Sequence, residues 1–282
     1  MEDTWPIGVF TSFDAGLGLS LPVARSLGLE TIQLHAPTSG ARSTEHVEKL
    51  QSDLAESGIR VTCVFAGFDG ESYADIPTVA RTIGLVPPET RDQRCDELKA
   101  IADFAKGLGV DAVGLHIGCV PHDPADETYA AVLAATRDVC DHCRSQGQAV
   151  HLETGQEPAE VLHRFLTDSE RDNLFVNFDP ANMILYGCGE PLPALREVAP
   201  FVRSVHCKDA KWSDRPGETW GQETPLGGGD VGMRDFLAVL KEIGYRGPLT
   251  IEREIPEEPE RQKAEIGQAV ELLRSLKTEL LP

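Results

Sequence analysis

The sequence predicts a (β/α)8 TIM barrel, a single domain spanning residues 1–282. Three observations lead there. Eight short β-rich runs alternate with eight helical patterns. Several of the runs are almost continuously apolar, as parallel strands buried on both faces are. Glycines stop several of the helices a few residues before the next run. A length of 282 residues suits one α/β barrel. A doubly wound parallel sheet is the structural alternative.

The first run, 6–10, leads to a short helical pattern at 21–27, closed by Gly28. The second, 31–35, precedes a helix over 44–57, where Val47, Leu50 and Leu54 are the apolar positions and Gly58 is the stop. The third, 61–65, opens a long connection, 67–90. The helix over 91–108 then carries Leu98, Ile101, Ala102, Ala105 and Leu108 at helical spacing, with Gly109 after it. Run four, 112–117, leads to a helix over 125–146 with Tyr129, Val132, Leu133, Thr136, Val139 and Cys140 on one side and Gly147 at its end. Run five, 149–153, precedes a helix at 158–166, and run six, 174–179, one at 191–198. In run six Val176 and Phe178 alternate, and Asp179-Pro180 then breaks the chain. Run seven, 202–208, opens a second long connection, 209–231, before a helix over 233–243 and Gly244. Run eight, 249–253, leads to a terminal helix over 260–280. Both long connections follow strands, which puts them at the C-terminal mouth, where barrel active sites are built.

The formal net charge is -20. So acidic a surface repels phosphate backbones and anionic membranes, which argues against nucleic acid and membrane partners. The start of the chain, Met1 to Trp5, is acidic, with no basic segment before an apolar core, so we expect no secretory signal and a cytoplasmic protein. No stretch has the length of a membrane span. Seven cysteines, an odd number, are scattered along the chain and read as free thiols. Cys140 and Cys143 form an isolated C-x-x-C inside a helical pattern, where packing explains them better than zinc.

The strand ends carry the chemistry. Run five ends in Glu153, run six in Asp179, run seven contains His206 and Lys208, and run eight contains Glu252, with Glu254 directly after its end. Strand side chains alternate faces, so His206 and Lys208 share one, as do Glu252 and Glu254. A lone glutamate at a strand end is more often solvated or ion-paired, and a lone histidine is more often a bonded core residue. Four such groups on consecutive strands of one barrel would instead repel one another unless a cation joined them. Glu153, Asp179, His206 and Glu252 therefore form a candidate O/N site for one divalent metal ion, Mn, Mg, Co or Zn.

The segments 151–155 (HLETG), 179–183 (DPANM), 205–210 (VHCKDA), 225–231 (PLGGGDV) and 251–254 (IERE) resemble the xylose-isomerase-like TIM-barrel family. Its members include sugar phosphate isomerases and epimerases, ketose 3-epimerases and inosose dehydratases. The resemblance covers nearly the whole chain. It implies the same metal ligands, Glu153, Asp179, His206 and Glu252. It also implies a catalytic pair, Glu153 and Glu252, on opposite sides of a bound sugar, one removing the proton beside the carbonyl and the other returning one. Ketose 3-epimerases of this kind often carry a histidine where this chain has Asn182. Their arginine after the metal histidine has no clear counterpart among Lys208, Lys211 and Arg215. The DPAN and HCKDA forms look more like the broad sugar phosphate isomerase/epimerase branch.

Other residues fall at the same mouth. His35 and His116 end runs two and four and are candidate substrate-binding groups, as are Asn182 and Gln156, with Glu157 beside it. Lys208 is the best-placed cation, for a phosphate, a carboxylate or a carbonyl, or as an ion pair with Asp209 or Glu252. Gly227, Gly228 and Gly229 are either a phosphate cradle or a tight loop; no G-K-[S/T] follows them. Trp212 and Trp220 either stack on a sugar or pack their own loop. The expected activity is a metal-dependent isomerase or epimerase of a small-molecule sugar or sugar phosphate, acting through a metal-stabilised enediolate. The alternatives are an inosose-dehydratase-like lyase, an endonuclease-IV-like enzyme opposed by the charge, and a non-catalytic sugar-binding barrel. Relatives commonly associate, so a homo-oligomer is expected.

Overall fold

Eight parallel strands close into a barrel: β1 (Ile7–Thr11), β2 (Thr31–His35), β3 (Arg60–Phe65), β4 (Ala112–Leu115), β5 (Ala149–Glu153), β6 (Leu174–Phe178), β7 (Val202–Cys207) and, after a hairpin, β10 (Leu249–Ile251). Their order around the barrel is β1-β10-β7-β6-β5-β4-β3-β2, so the sheet is closed and not doubly wound. The structure, a computed structural model, describes residues 4–13 and 16–281; Met1, Glu2 and Asp3 lie outside them. Every barrel strand falls where an apolar run predicted it. The glycine stops hold as well: Gly28, Gly58, Gly109, Gly147 and Gly244 all have φ between 68° and 78°, a left-handed conformation that costs glycine least.

Helices cover the outside: α1 (Leu21–Ser26), α2 (Thr44–Ser57), α3 (Ile76–Thr82), α4 (Arg91–Gly107), α5 (Glu127–Ser145), α6 (Ala159–Ser169), α7 (Pro180–Tyr186), α8 (Pro191–Glu197), α9 (Met233–Glu242) and α10 (Pro259–Leu280). The main core lies between them and the outer strand faces. Leu98, Ile101, Phe165, Phe236 and Leu273 are each wholly buried there, and each side chain contributes about 1.5–3 kcal/mol by leaving water. Phe178 of β6 stacks on Phe236 of α9 with ring centres 6.2 Å apart. Cys140 and Cys143 are buried in α5, and all seven cysteines are free. No described helix is long and apolar enough to cross a membrane.

Three elements depart from the sequence expectation, and local hydrogen bonding explains each. The connection 67–90 contains α3, whose N-cap Asp75 accepts from the Thr78 N–H at 2.7 Å. Asp179-Pro180 does not merely break the chain; it starts α7. Asp179 accepts from the N–H groups of Ala181 and Asn182 at 2.8 and 3.0 Å, and Pro180 takes a position that needs no N–H. The seventh run leaves the barrel at Cys207. Its continuation, β8 (Asp209–Lys211), pairs antiparallel with β9 (Gln222–Thr224), so the second long connection holds a hairpin over the mouth.

Candidate metal centre

Strand register builds the centre. Glu153 ends β5 opposite Asn177 of β6, and His206 of β7 lies opposite Thr250 of β10. Asp179 and Glu252 each follow one strand end directly. Four neighbouring strands thus deliver Glu153, Asp179, His206 and Glu252 to one point. One ligand atom from each lies within 4.8 Å of all the others, and all four residues are buried.

His206 Nδ1 stands at the focus. It is 2.6 Å from Glu252 Oε2, 2.8 Å from Glu153 Oε1 and 3.6 Å from Asp179 Oδ2. One ring nitrogen can give at most one proton, so three carboxylates facing it are not satisfied by the imidazole. Asp179 Oδ2 and Glu252 Oε2 are buried without a well-formed hydrogen bond. Burial opposes a charge on His206, but Glu252 and Glu153 outweigh it and hold the ring's pKa well above its ordinary value. Three carboxylate oxygens and one imidazole nitrogen, two of the oxygens unpartnered, fit a hard to borderline divalent cation. The cluster can hold a metal ion.

The surroundings orient the ligands. Gln33 Oε1 accepts from His206 Nε2 at 2.5 Å, which leaves Nδ1 of the neutral ring as the lone-pair atom. The Gln33 amide is itself aimed by donating to Asn177 Oδ1 at 3.1 Å. The rings of Phe10 and Phe65 lie 5.6 and 5.5 Å from the imidazole. The Thr154 hydroxyl braces both the N–H and the C=O of Asp179 at 2.8 Å. Sequence reasoning passed over Gln33, Asn177 and Thr154. The signal for the first two was an uncharged polar residue between apolar neighbours, Ile32-Gln33-Leu34 and Val176-Asn177-Phe178.

Each glutamate turns its second oxygen toward a basic nitrogen. Glu153 Oε2 is 3.2 Å from His116 Nε2, and Glu252 Oε1 is 3.1 Å from Lys208 Nζ. Burial pushes Glu252 up, but Lys208 and His206 override it and leave its pKa below the usual value. Lys208 thus takes the ion-pair alternative; burial would lower its pKa, yet Glu252 and other carboxylates hold it well above normal. Asn182 Nδ2 donates to Glu153 Oε1 at 3.2 Å. Gln156 Nε2 lies 3.0 Å from His116 Nδ1 and 3.2 Å from the Tyr186 hydroxyl. Tyr73, half exposed, stands with its ring 6.0 Å from that of His116. Trp220 packs on Tyr186 at 4.6 Å, and Glu157 accepts from the Val120 N–H at 2.9 Å, its carboxyl pushed up to about 8 by burial.

His35 joins this group through Phe10, which packs on both His35 and His206. Its ring meets the edge of Phe10 at 6.3 Å and lines a cavity of about 710 Å³ with Arg42, Phe68, Gln93, Arg94 and Glu97.

The sequence profile described as "Xylose isomerase-like TIM barrel" matches residues 21–276. The chain belongs to the xylose isomerase-like TIM-barrel family. Among solved structures, this barrel is similar to a xylose isomerase domain protein from Planctomyces limnophilus, at 55% identity over 98% of this chain and 99% of that one, with a TM-score of 0.96. It shares its fold with a xylose isomerase-like TIM barrel protein from Mycobacterium smegmatis in complex with magnesium: 19% identity, 96% and 100% coverage, TM-score 0.66. It also shares its fold with D-psicose 3-epimerase from Clostridium cellulolyticum H10, crystallised with D-tagatose: 16% identity, 96% and 99% coverage, TM-score 0.72. Among curated proteins none matches.

Proposed function

We propose that this barrel is a divalent-metal-dependent isomerase or epimerase of a sugar or sugar phosphate. The observation that carries the reading is the disposition of Glu153 and Glu252. They flank the cation site from β5 and β10, with β6 and β7 between. Each gives one oxygen to the site and turns the other toward a basic nitrogen. A divalent cation in the cluster supplies the positive charge that stabilises an enediolate's oxygens.

The rest belongs to the side chains. One glutamate, ionised, takes the proton from the carbon beside the substrate carbonyl, and the C–H electron pair moves into the new C=C bond while the carbonyl oxygen gains charge. The other, protonated, returns a proton from the opposite face in an epimerisation; a 1,2-isomerisation can use one of them for both steps. His116 and Lys208 hold the two carboxylates in place, and Lys208 favours the ionised form of Glu252. Asn182 and Gln156 fix Glu153 and His116, and their remaining polar atoms are available to substrate hydroxyls. The fold likeness to an epimerase crystallised with D-tagatose supports a ketose-sized substrate.

The test is proton exchange. The Mn²⁺-loaded chain is incubated with a panel of ketoses and their phosphate esters in heavy water, and exchange at the carbon beside the carbonyl is followed by NMR with product analysis. Exchange with an isomeric product is expected; a dehydrated product would assign a lyase. Glu153→Gln and Glu252→Gln should each lower the rate by roughly 10²–10⁴-fold with the fold unchanged. Full activity in either variant would defeat the two-carboxylate scheme.

A further inference from the structure

The cavity of about 710 Å³ that His35 lines lies between the connections that follow β2 and β3. Its volume is that of a small-molecule site. None of the four candidate metal ligands lines it, and neither does His116 or Lys208. The part of a substrate held by those groups therefore does not use it. Two contacts tie the cavity to the metal centre. His35 meets Phe10 at 6.3 Å, and Phe10 in turn meets His206 at 5.6 Å. The segment 67–71, which forms one wall, runs on to Tyr73, whose ring stands 6.0 Å from that of His116.

The walls are pinned, so the space is built into the fold. Glu71 accepts from the N–H groups of Phe68 and Gly84 at 3.0 and 2.8 Å. Arg94, 4% exposed, donates to the carbonyls of Thr82 and Gly84 at 2.7 Å and to that of Asp69 at 3.3 Å. Arg42 binds Glu97 and the Pro37 carbonyl at 2.5 and 2.6 Å. A Cβ on Gly67 would stand 2.7 Å from His35 Nε2, so glycine there makes room for the imidazole in the wall.

The lining selects its ligand. Arg42 and Arg94 face the cavity together with Asp69, Glu71 and Glu97, a mixture of signs that favours neither an anion nor a cation. Two polar atoms of the lining residues, Arg94 Nε and Thr90 Oγ1, are buried without a hydrogen-bond partner. Gln93 adds an amide, and Phe68 adds an aromatic ring. Donors and acceptors are thus interspersed around one apolar surface. A sugar hydroxyl both gives and takes a hydrogen bond, so a polyhydroxylated ring can meet both kinds of partner while its C–H groups pack on Phe68.

We propose that the substrate is a keto-sugar carrying a second, glycosidically attached sugar ring, and that this cavity holds the attached ring while the keto-sugar sits at the metal centre. This rests on the proton-transfer reading above and extends the substrate beyond the ketose-sized part that reacts. Contacts to the remote ring then serve to place the reacting carbon between the two glutamates.

The test has two arms that fail separately. In the first, the Mn²⁺-loaded chain is given D-fructose against three ketose disaccharides, lactulose, maltulose and isomaltulose, with C–H exchange beside the carbonyl as the readout. At least one disaccharide should exceed D-fructose by ~10-fold or more in kcat/KM. Preference for D-fructose over all three overturns the inference. Exchange with none of the four sugars counts against the proton-transfer reading, and the second arm then decides the inference alone. In that arm ¹⁵N-labelled, Mg²⁺-loaded chain is titrated with each sugar to about 10 mM, enough to nearly saturate a site with a Kd of about 1 mM. A disaccharide should shift the amides of Ser39, Gly67 and Phe68 saturably, and D-fructose should not. Amides that ignore every disaccharide overturn the inference. Equal shifts with D-fructose overturn it as well, because the cavity would then be a separate monosaccharide site. Gln93→Trp, at an exposed position on the cavity wall, places an indole in the space. It should cut the advantage of the preferred disaccharide over D-fructose by ~5-fold or more. An unchanged advantage in the folded variant overturns the inference, and if the variant does not fold, the wild-type titration decides.

Discussion

Gln33 decides more than its place in an apolar strand suggests. The four candidate ligands were legible because acids and a histidine at successive strand ends are unusual, and because their family motifs are intact. Gln33 was not, since its partner His206 is 173 residues away and nothing local marks the pairing. Closure of the barrel brings the two together across the mouth. Asn182 was legible only as a position; that its amide would hold Glu153 depends on α7 starting at once after Asp179. At this scale the prediction concerns the tautomer. Gln33→Leu removes the acceptor for His206 Nε2–H and the donor to Asn177, so the proton is no longer fixed away from Nδ1. Calorimetric titration with Mn²⁺ should show a Kd weaker by about 10–100-fold with unchanged circular dichroism. Unaltered affinity would remove Gln33 from the metal centre's machinery.

Among the elements, the barrel strands and outer helices were legible from periodicity, and the short elements over the mouth were not. α3 and α7 interrupt segments that read as a long connection and a chain break, and a capping aspartate with a nearby proline defines both starts. The β8–β9 hairpin was hidden for another reason: β-rich alternation continues through 202–211, and only the hydrogen bonds show that the strand leaves the barrel after Cys207. What anchors the hairpin is Arg253, 7% exposed, which joins Glu223 of β9 to Glu265 of α10. Arg253→Met keeps the volume and leaves two carboxylates facing an apolar side chain. Breaking a buried pair in this way costs about 3–5 kcal/mol. Urea unfolding should show a loss of that size, and hydrogen exchange at Asp209–Lys211 and Gln222–Thr224 should quicken. If exchange in the hairpin stayed at the wild-type rate, Arg253 would be a barrel residue with no hold on the hairpin.

Across the whole molecule, 46 acidic residues against 26 basic ones make charge repulsion a standing term against the compact state. It is concentrated at the mouth, where Glu153, Asp179 and Glu252 meet beside His116, His206 and Lys208. A cation that enters this cluster binds the folded chain and has no comparable site in the unfolded one, so its binding energy appears as stability. At a free Mn²⁺ concentration 100 times Kd the gain is about 2.7 kcal/mol. For a chain of this size that raises Tm by roughly 5–10 °C. Chelation should reverse the rise. Asp179→Asn separates the metal's contribution from that of the fold: asparagine caps a helix about as well as aspartate, so α7 is kept, but its side chain brings no charge to the site. The variant should melt close to the metal-free wild type and gain little from Mn²⁺. A wild-type Tm indifferent to Mn²⁺, Mg²⁺, Co²⁺ and Zn²⁺ alike would mean that the four side chains converge without serving a metal. The same rise in Asp179→Asn as in the wild type would place the stabilising ion elsewhere on the acidic surface.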